Sequence, residues 1–475
     1  MRKDQIESGL RELGLQAEDV VLLHSSLSSL GEVEGGADAL VDAFLNVLES
    51  GGTLVVPTFG DLGIVTKVVE NRPEAVSSIH PFASVAAIGG RAQEICRDHW
   101  KAETAHAEET PYLRIADMGG YVCLLGVDQD RNTTLHAVEA MLKLPYLKTT
   151  DERTFSTPEG EVTRSWPHFP GPHRDFIGLD RLLRERGIVK IGRIGSAVVR
   201  LMKGREMIDA LLEVGGKDSA FALCDNPSCA DCRRQRAALR RNRFAGEDFT
   251  LAAASSLAGR YVPEIVENCL AAGIDAVELD CLQGHPLQGV EAAQVRAAVE
   301  ELRAGGCVVT GLRGRVVGDG IESFLQTAVE CGIERVVLPL SSEAGTHQEL
   351  AMEKGISLSF YNTHQSSGKV CERMRKVANA GLTFSGCEFA RCGENPFLTS
   401  LRNRLKHFVD QLDIEDCTWD GTSTELARGN GEIAELVSIL RCCGFRGYMV
   451  LGAGNRPVGD LASVADCFAG LLERL

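Results

Sequence analysis

The segment Asn132-Thr133-Thr134-Leu135-His136-Ala137-Val138-Glu139 places a histidine and a carboxylate three residues apart, so that on a helix both project from one face. An imidazole steadied by a carboxylate is equipped to act as a general base near neutral pH. A strand-like run, Tyr121-Val122-Cys123-Leu124-Leu125-Gly126, leads through Asp128, Asp130 and Asn132 into that helix, which puts His136 in its first turns and near a strand end. On spacing alone, a surface histidine satisfied by its neighbour explains the pair more readily than catalysis does. A second group is Cys224, Cys229 and Cys232, a C-x4-C-x2-C run with Asn226-Pro227 in its turn. Three thiolates so spaced fit around one tetrahedral zinc, with His168 or His173 as the fourth ligand, and such a site would be structural. Free thiols in a linker turn explain the same residues equally well. The basic helix that follows, Arg233 to Arg243, is read as a solvated linker helix more readily than as a phosphate site.

The frame that must position these residues is large. At 475 residues, with 44% apolar and 24% charged side chains, the chain is globular and long enough for two domains. A formal charge of −16 argues against nonspecific nucleic-acid binding and suits a cationic small-molecule substrate such as a polyamine, or simply a solvated acidic surface. No apolar run reaches the roughly 18 residues of a membrane helix, and Met1-Arg2-Lys3-Asp4-Gln5 opens a polar amphipathic helix, not a secretory signal. The expectation is a cytoplasmic protein without membrane contact, its sixteen cysteines reduced.

Over the first 200 or so residues helices and strands alternate. Ile6 to Leu15 is helical, Asp19-Val20-Val21-Leu22-Leu23-His24 is a buried strand ending in a serine-rich loop, Ala37 to Leu48 is a helix, and Gly52-Thr53-Leu54-Val55-Val56-Pro57-Thr58 is a strand. This is an α/β layered domain. The loop Ser25-Ser26-Leu27-Ser28-Ser29 offers small residues and backbone N–H groups that can approach a pyrophosphate or pantetheine, although a plain serine-rich turn is the simpler reading. In Ser77-Ser78-Ile79-His80-Pro81-Phe82-Ala83-Ser84 a proline fixes the backbone ahead of a helix expected from Val85.

Taken in order, these pieces resemble the aminoglycoside 3-N-acetyltransferase family, whose members run from a strand with an HSSLSSLG loop through a GTLVxPT strand and an HPxxS turn to a TxxHxxE motif. Glu109-Thr110-Pro111-Tyr112, then Ile191-Gly192-Arg193-Ile194-Gly195-Ser196-Ala197 with Arg200-Leu201-Met202, extend the resemblance to about residue 215. It implies an acetyltransferase domain over residues 1–217, a Cys-containing basic linker over 218–245, and transfer of an acetyl or related acyl group from acetyl-CoA to an amine of an aminoglycoside, aminosugar, aminocyclitol or similar substrate. Antibiotic resistance is the associated role. The same resemblance makes His136 the base and assigns His24, Ser25, Ser26, Leu27, His80, Ser84 and Thr133 to the coenzyme; on chemical grounds Glu139, or another nearby carboxylate, can orient the ring, and N–H groups of the Ser25 to Ser29 loop can receive the oxyanion. Two departures bear on the acceptor: Ser77 stands where the family usually has arginine, and the segment between Thr58 and His80 is short, which favours amine acylation over drug resistance as the firmer expectation.

From about residue 246 to 475 eight apolar strands recur with helices between them, as in a compact (β/α)8 TIM barrel. Gly429-Asn430-Gly431-Glu432-Ile433 and Cys443-Gly444-Phe445-Arg446-Gly447-Tyr448 make this half similar to the sugar phosphate isomerase/epimerase group of xylose-isomerase-like barrels. That resemblance implies a divalent metal site, yet the matching places hold Asn362, Ser385, Glu388, Asp413 and Gly452, which lack most of its ligands. The barrel is therefore expected to be degenerate and accessory, binding a sugar or aminocyclitol. His364, Glu388, Asp413 and Asp416 remain candidates for a rearranged site, and Glu278 and Asp280 lie at another strand end. The alternative is a bifunctional enzyme whose barrel isomerises or epimerises a sugar that the first half then acylates.

Overall fold

The computed structural model describes residues 1–168, 173–315, 318–454 and 458–475, which form two compact units, Met1–Leu239 and Arg240–Leu475. The first is built on a seven-stranded sheet of β1 (Val20–Ser25), β2 (Thr53–Pro57), β3 (Val76–Ser77), β4 (Val85–Gly89), β5 (Tyr121–Leu125), β6 (Val189–Ile194) and β7 (Ala197–Lys203), in the order β6-β7-β5-β1-β2-β4-β3. Strands β5, β1 and β2 run parallel, and the flanking strands pair antiparallel to them. Val20 to Leu23 are all buried because both faces of β1 are covered. Val21 and Leu23 meet the helix Gly36–Leu48 through Leu40, Val41 and Phe44, while Val20 and Leu22 pack with Val55, Val85 and Tyr112.

The chain leaves β1 toward β2 on one side and returns to pair β5 on the other, with Ser25 opposite Leu125. The carboxyl ends of β1 and β5 thus flank a topological switch point, where open α/β sheets leave a crevice. The helix Leu135–Met141 follows β5 at that end. The helix expected from Val85 is absent: Val85–Gly89 is β4, paired antiparallel with β2. Five apolar residues after a proline turn are too few for periodicity to separate helix from strand, and pairing with β2 decided the outcome.

The second unit is a closed parallel barrel of β8 (Thr250–Ala254), β9 (Ala276–Leu279), β10 (Val308–Arg313), β11 (Arg335–Pro339), β12 (Ser357–Tyr361), β13 (Gly381–Ser385), β14 (Val409–Ile414) and β15 (Tyr448–Leu451). All eight strands expected from the sequence are present, with ends shifted by a residue or a few. Among the described residues no helix is long and apolar enough to cross a membrane.

Candidate functional site

His136 and Glu139 lie on one face of the helix Leu135–Met141, and His136 Nδ1 is 2.6 Å from Glu139 Oε2. An ionised carboxylate only accepts, so Nδ1–H donates and the ring's basic lone pair belongs to Nε2. Burial pushes the Glu139 carboxyl upward, but the His136 hydrogen bond and the Arg174 guanidinium outweigh it and hold the group below its ordinary range. The other oxygen, Oε1, accepts from Arg174 Nε at 2.6 Å and from Tyr146 OH at 2.8 Å. The Glu139 and Arg174 side chains are only 1% and 3% exposed, whereas His136 is 14% exposed and faces a cavity.

That cavity has a volume of about 920 Å³ and opens at the carboxyl ends of β1 and β5. Its wall carries His24, Ser25, Ser26, Leu27, Thr133 and His136, so the structure brings six of the nine residues expected at the catalytic and coenzyme sites together on one surface. Glu139 stands behind His136. His80 and Ser84 are not on the wall. The His80 ring packs between His99 and Trp166, its Nδ1 accepting from Phe82 N–H, and Ser84 Oγ accepts from Thr58 Oγ1 at 2.9 Å. Both brace the turn that presents Phe82 to the cavity.

The serine loop is closed down against β5. Ser26 N–H donates to Leu125 O at 2.9 Å and Ser29 N–H to Ser26 O at 3.2 Å, which leaves Leu27 and Ser28, among the described residues, as the loop amides open to an oxyanion. Gly126, at φ +68°, makes this approach feasible, because a Cβ there would overlap Ser29 Oγ. The turn leading to His136 is fixed by Arg200, which binds Asp128 at 2.6 Å and Asp180 at 3.1 Å. This gives the Arg200-Leu201-Met202 segment its purpose.

The sequence reading missed several residues here. His106 and Phe176 flank the His136 ring at 5.4 and 5.0 Å between centroids, and His168 stacks on Phe82 at 5.7 Å, all on the cavity wall. Burial pushes His24 down to about 4 and His106 well below its usual range; burial, then the nearby His136, brings His168 to about 4. Burial thus favours the neutral form of three wall imidazoles, His24, His106 and His168. His24 Nε2 is buried without a hydrogen-bond partner among the described residues, a polar atom at the cavity that a bound molecule can satisfy.

Of the two histidines weighed as a fourth metal ligand, His168 goes to the cavity and His173 joins the cysteines. One ligand atom each from His173, Cys224, Cys229 and Cys232 lies within 4.8 Å of all the others. His173 Nδ1 is 3.3 Å from Cys232 Sγ and 3.5 Å from Cys229 Sγ.

The barrel side chains considered for a metal all have protein partners. Asp413 accepts from Arg313 at 2.8 and 3.1 Å and from Gln411 at 2.8 Å; Glu278 accepts from Arg313 and Arg335 at 3.1 and 3.3 Å. Burial works against the Arg313 charge, and Asp413 with Glu278 more than offsets it. Asp416 takes backbone N–H groups of Cys417, Arg428, Gly429 and Gly431, which explains the two glycines: side chains there would collide with Asp416. Glu388 holds His364 and Arg391, Asp280 holds Ser255 and Ser256, Asn362 closes a turn on Gln365, Ser385 bonds Glu415, and Gly452 sits at φ +76° against Leu257. Among the described residues these groups do not converge on a metal site.

Comparison with known proteins concerns the first unit. The family model described as aminoglycoside 3-N-acetyltransferase matches residues 22–62 and 60–214. The chain is 32% identical over 253 residues to aminoglycoside N(3)-acetyltransferase IV of a Salmonella species, covering 50% of this chain and 94% of that protein. It is 28% identical over 246 residues to the aminoglycoside N(3')-acetyltransferase-like protein YokD of Bacillus subtilis, covering 44% of this chain and 89% of the relative. Among solved structures, the apoenzyme of aminoglycoside acetyltransferase AAC(3)-IVa superposes with a TM-score of 0.44 at 30% identity, over 49% of this chain and 95% of that one.

Proposed function

Because this chain belongs, through its N-terminal half, to the aminoglycoside 3-N-acetyltransferase family, we propose that it moves an acetyl or related acyl group from a coenzyme A thioester to an amine of an aminoglycoside, aminosugar or similar polyamine, with His136 as the general base. The observation that carries this reading is the His136–Glu139 pair at 2.6 Å, with His136 on the wall of a cavity bordered by the serine loop. An ammonium has no lone pair, so the attacking nitrogen must lose a proton, and imidazole is suited to take it near neutral pH. Glu139 orients the ring and stabilises the imidazolium formed on Nε2. Leu27 and Ser28 N–H groups are the proposed donors to the thioester oxygen as it gains charge during attack by the nitrogen. Direct transfer needs no covalent enzyme intermediate. Asp61 and Asp130 are acidic groups on the cavity wall that a polycationic acceptor would contact in competition with Lys67, 2.9 Å from Asp61, and Arg131, 3.4 Å from Asp130.

His24, Ser25, Ser26, Leu27 and Thr133 are the proposed coenzyme contacts, and His80 and Ser84 act behind them by holding the Phe82 turn. Cys224, Cys229, Cys232 and His173 are proposed to hold a structural zinc ion that cross-links the chain and leaves no ligand position open to substrate. The barrel is proposed to be accessory: the pairing of Asp413 with Arg313, and of Asp416 with loop amides, counts against a metal-dependent sugar isomerase there. The test is release of free coenzyme A from acetyl-CoA with a panel of amines. His136→Ala is expected to lower kcat by about 10²–10⁴-fold. Acylation at the wild-type rate would remove His136 from the mechanism.

A further inference from the structure

We infer that the Cys224, Cys229, Cys232 and His173 cluster, holding zinc, is the device that positions the catalytic dyad, acting through Arg174 and Tyr146; the inference rests on the acyltransferase reading for what the dyad does. The fit to zinc is geometric. Zn–S bonds of about 2.3 Å and a Zn–N bond of about 2.0–2.1 Å at tetrahedral angles require N···S edges of about 3.6 Å and S···S edges of about 3.8 Å. His173 Nδ1 lies 3.3 and 3.5 Å from two of the sulfurs, and all four ligand atoms fall within 4.8 Å. Three sulfurs and one nitrogen make a closed structural set, with no position left for a reacting water.

Two paths lead from the cluster to Glu139. His173 is followed by Arg174, whose Nη1 donates to the His173 carbonyl at 2.7 Å while its Nε donates to Glu139 Oε1 at 2.6 Å. Tyr146 shares an apolar cluster with Cys232, Leu144 and Leu223, stacks under the Arg174 guanidinium at 5.2 Å and donates to the same Oε1 at 2.8 Å. Both donors that fix Oε1 are therefore seated against the metal ligands. With Oε1 so held, Oε2 is aimed at His136 Nδ1. An ion joining His173 to the 224–232 turn would lock this arrangement across more than fifty residues of chain, as outer partners do for catalytic side chains.

The experiment uses the full chain. Metal analysis of the purified protein should give one zinc per chain, and growth with Co²⁺ should give the thiolate charge-transfer spectrum of a tetrahedral site made of three sulfurs and one nitrogen. Cys229→Ala should lose the metal and lower kcat by about 10–100-fold with the KM for acetyl-CoA little changed. Cys229→His, which keeps a ligand at that place, should restore metal and rate. Arg174→Lys should retain zinc yet reproduce the loss in kcat. Independently of turnover, the downfield NMR signal of His136 Nδ1–H should be present in the zinc form and lost in Cys229→Ala. Absence of zinc and of the cobalt spectrum overturns the site. Zinc present in the parent protein, but with kcat and the NMR proton unmoved in Cys229→Ala, overturns the positioning role. If no amine supports coenzyme A release while the metal and NMR results hold, the acyltransferase reading has failed and the metal-linked dyad has not.

Discussion

Acidification from pH 7.5 to pH 5 should weaken the first unit far more than its carboxylates can explain. Burial holds His24 and His99 at about 4, against an ordinary imidazole value of 6.5. His99 is fixed as a neutral ring, its Nε2–H donating to Ala105 O at 3.0 Å and its Nδ1 lying 3.1 Å from Ser78 Oγ. Because the folded values are depressed, the unfolded chain binds more protons below 6.5, so this stability is full above 6.5 and is lost as pH falls toward 4. At pH 5 each ring costs the fold about 2 kcal/mol relative to pH 7.5, so the pair together costs about 4 kcal/mol. Glu139, already held below its ordinary carboxylate range, contributes only at lower pH. Urea unfolding followed by Trp100 and Trp166 fluorescence in a Trp419→Phe background reads the first unit alone. With a slope of about 2–3 kcal/mol per molar urea, these two rings alone should lower its midpoint by about 1.3–2 M between the two pH values, and His80, His106 and His168, also held down by burial, deepen the fall. His24→Gln should shrink that pH-dependent difference by about 2 kcal/mol. Equal midpoints at the two pH values, or a difference that His24→Gln leaves whole, would refute the reasoning.

Two further outcomes follow from the site. Glu139→Gln leaves the Arg174 guanidinium buried without its carboxylate; the melting transition of the first unit should drop by the equivalent of about 3–5 kcal/mol, with kcat falling in the coenzyme A release assay. Gly126→Ala must relieve both a positive φ and an overlap with Ser29, at a cost of about 1–3 kcal/mol, and because the serine loop moves, the KM for acetyl-CoA should rise about tenfold while His136 stays in place.

The parts of the site that were legible in the sequence are those whose partners are close along the chain. His136 and Glu139 meet because they are three apart on a helix, and the serine loop follows directly from a buried strand. Tyr146 reaches the same carboxylate from seven residues away and Arg174 from thirty-five, beyond a hairpin, so no local pattern announces them. His106 and His168 become wall residues only through tertiary packing. The three cysteines were visible by spacing, but which histidine completes the set depends on a fold that sends His168 inward and His173 to the sulfurs. In the barrel, short apolar runs marked every strand. The pairing of Arg313 with Asp413, one hundred residues apart, was invisible because an arginine closing a strand reads as a solvent-facing end.

The carboxylate of Glu139 is gripped from both ends of one excursion of the chain, by Tyr146 where it departs and by Arg174 where it returns. Between them lies the hairpin of Arg153–Thr157 and Gly160–Arg164, and on the returning arm His168 looks into the cavity. Pinning the two ends on a single oxygen frees the hairpin tip to change length or composition without disturbing the His136–Glu139 pair. On the proposed mechanism, the acceptor wall could then drift while the proton-accepting pair stays fixed.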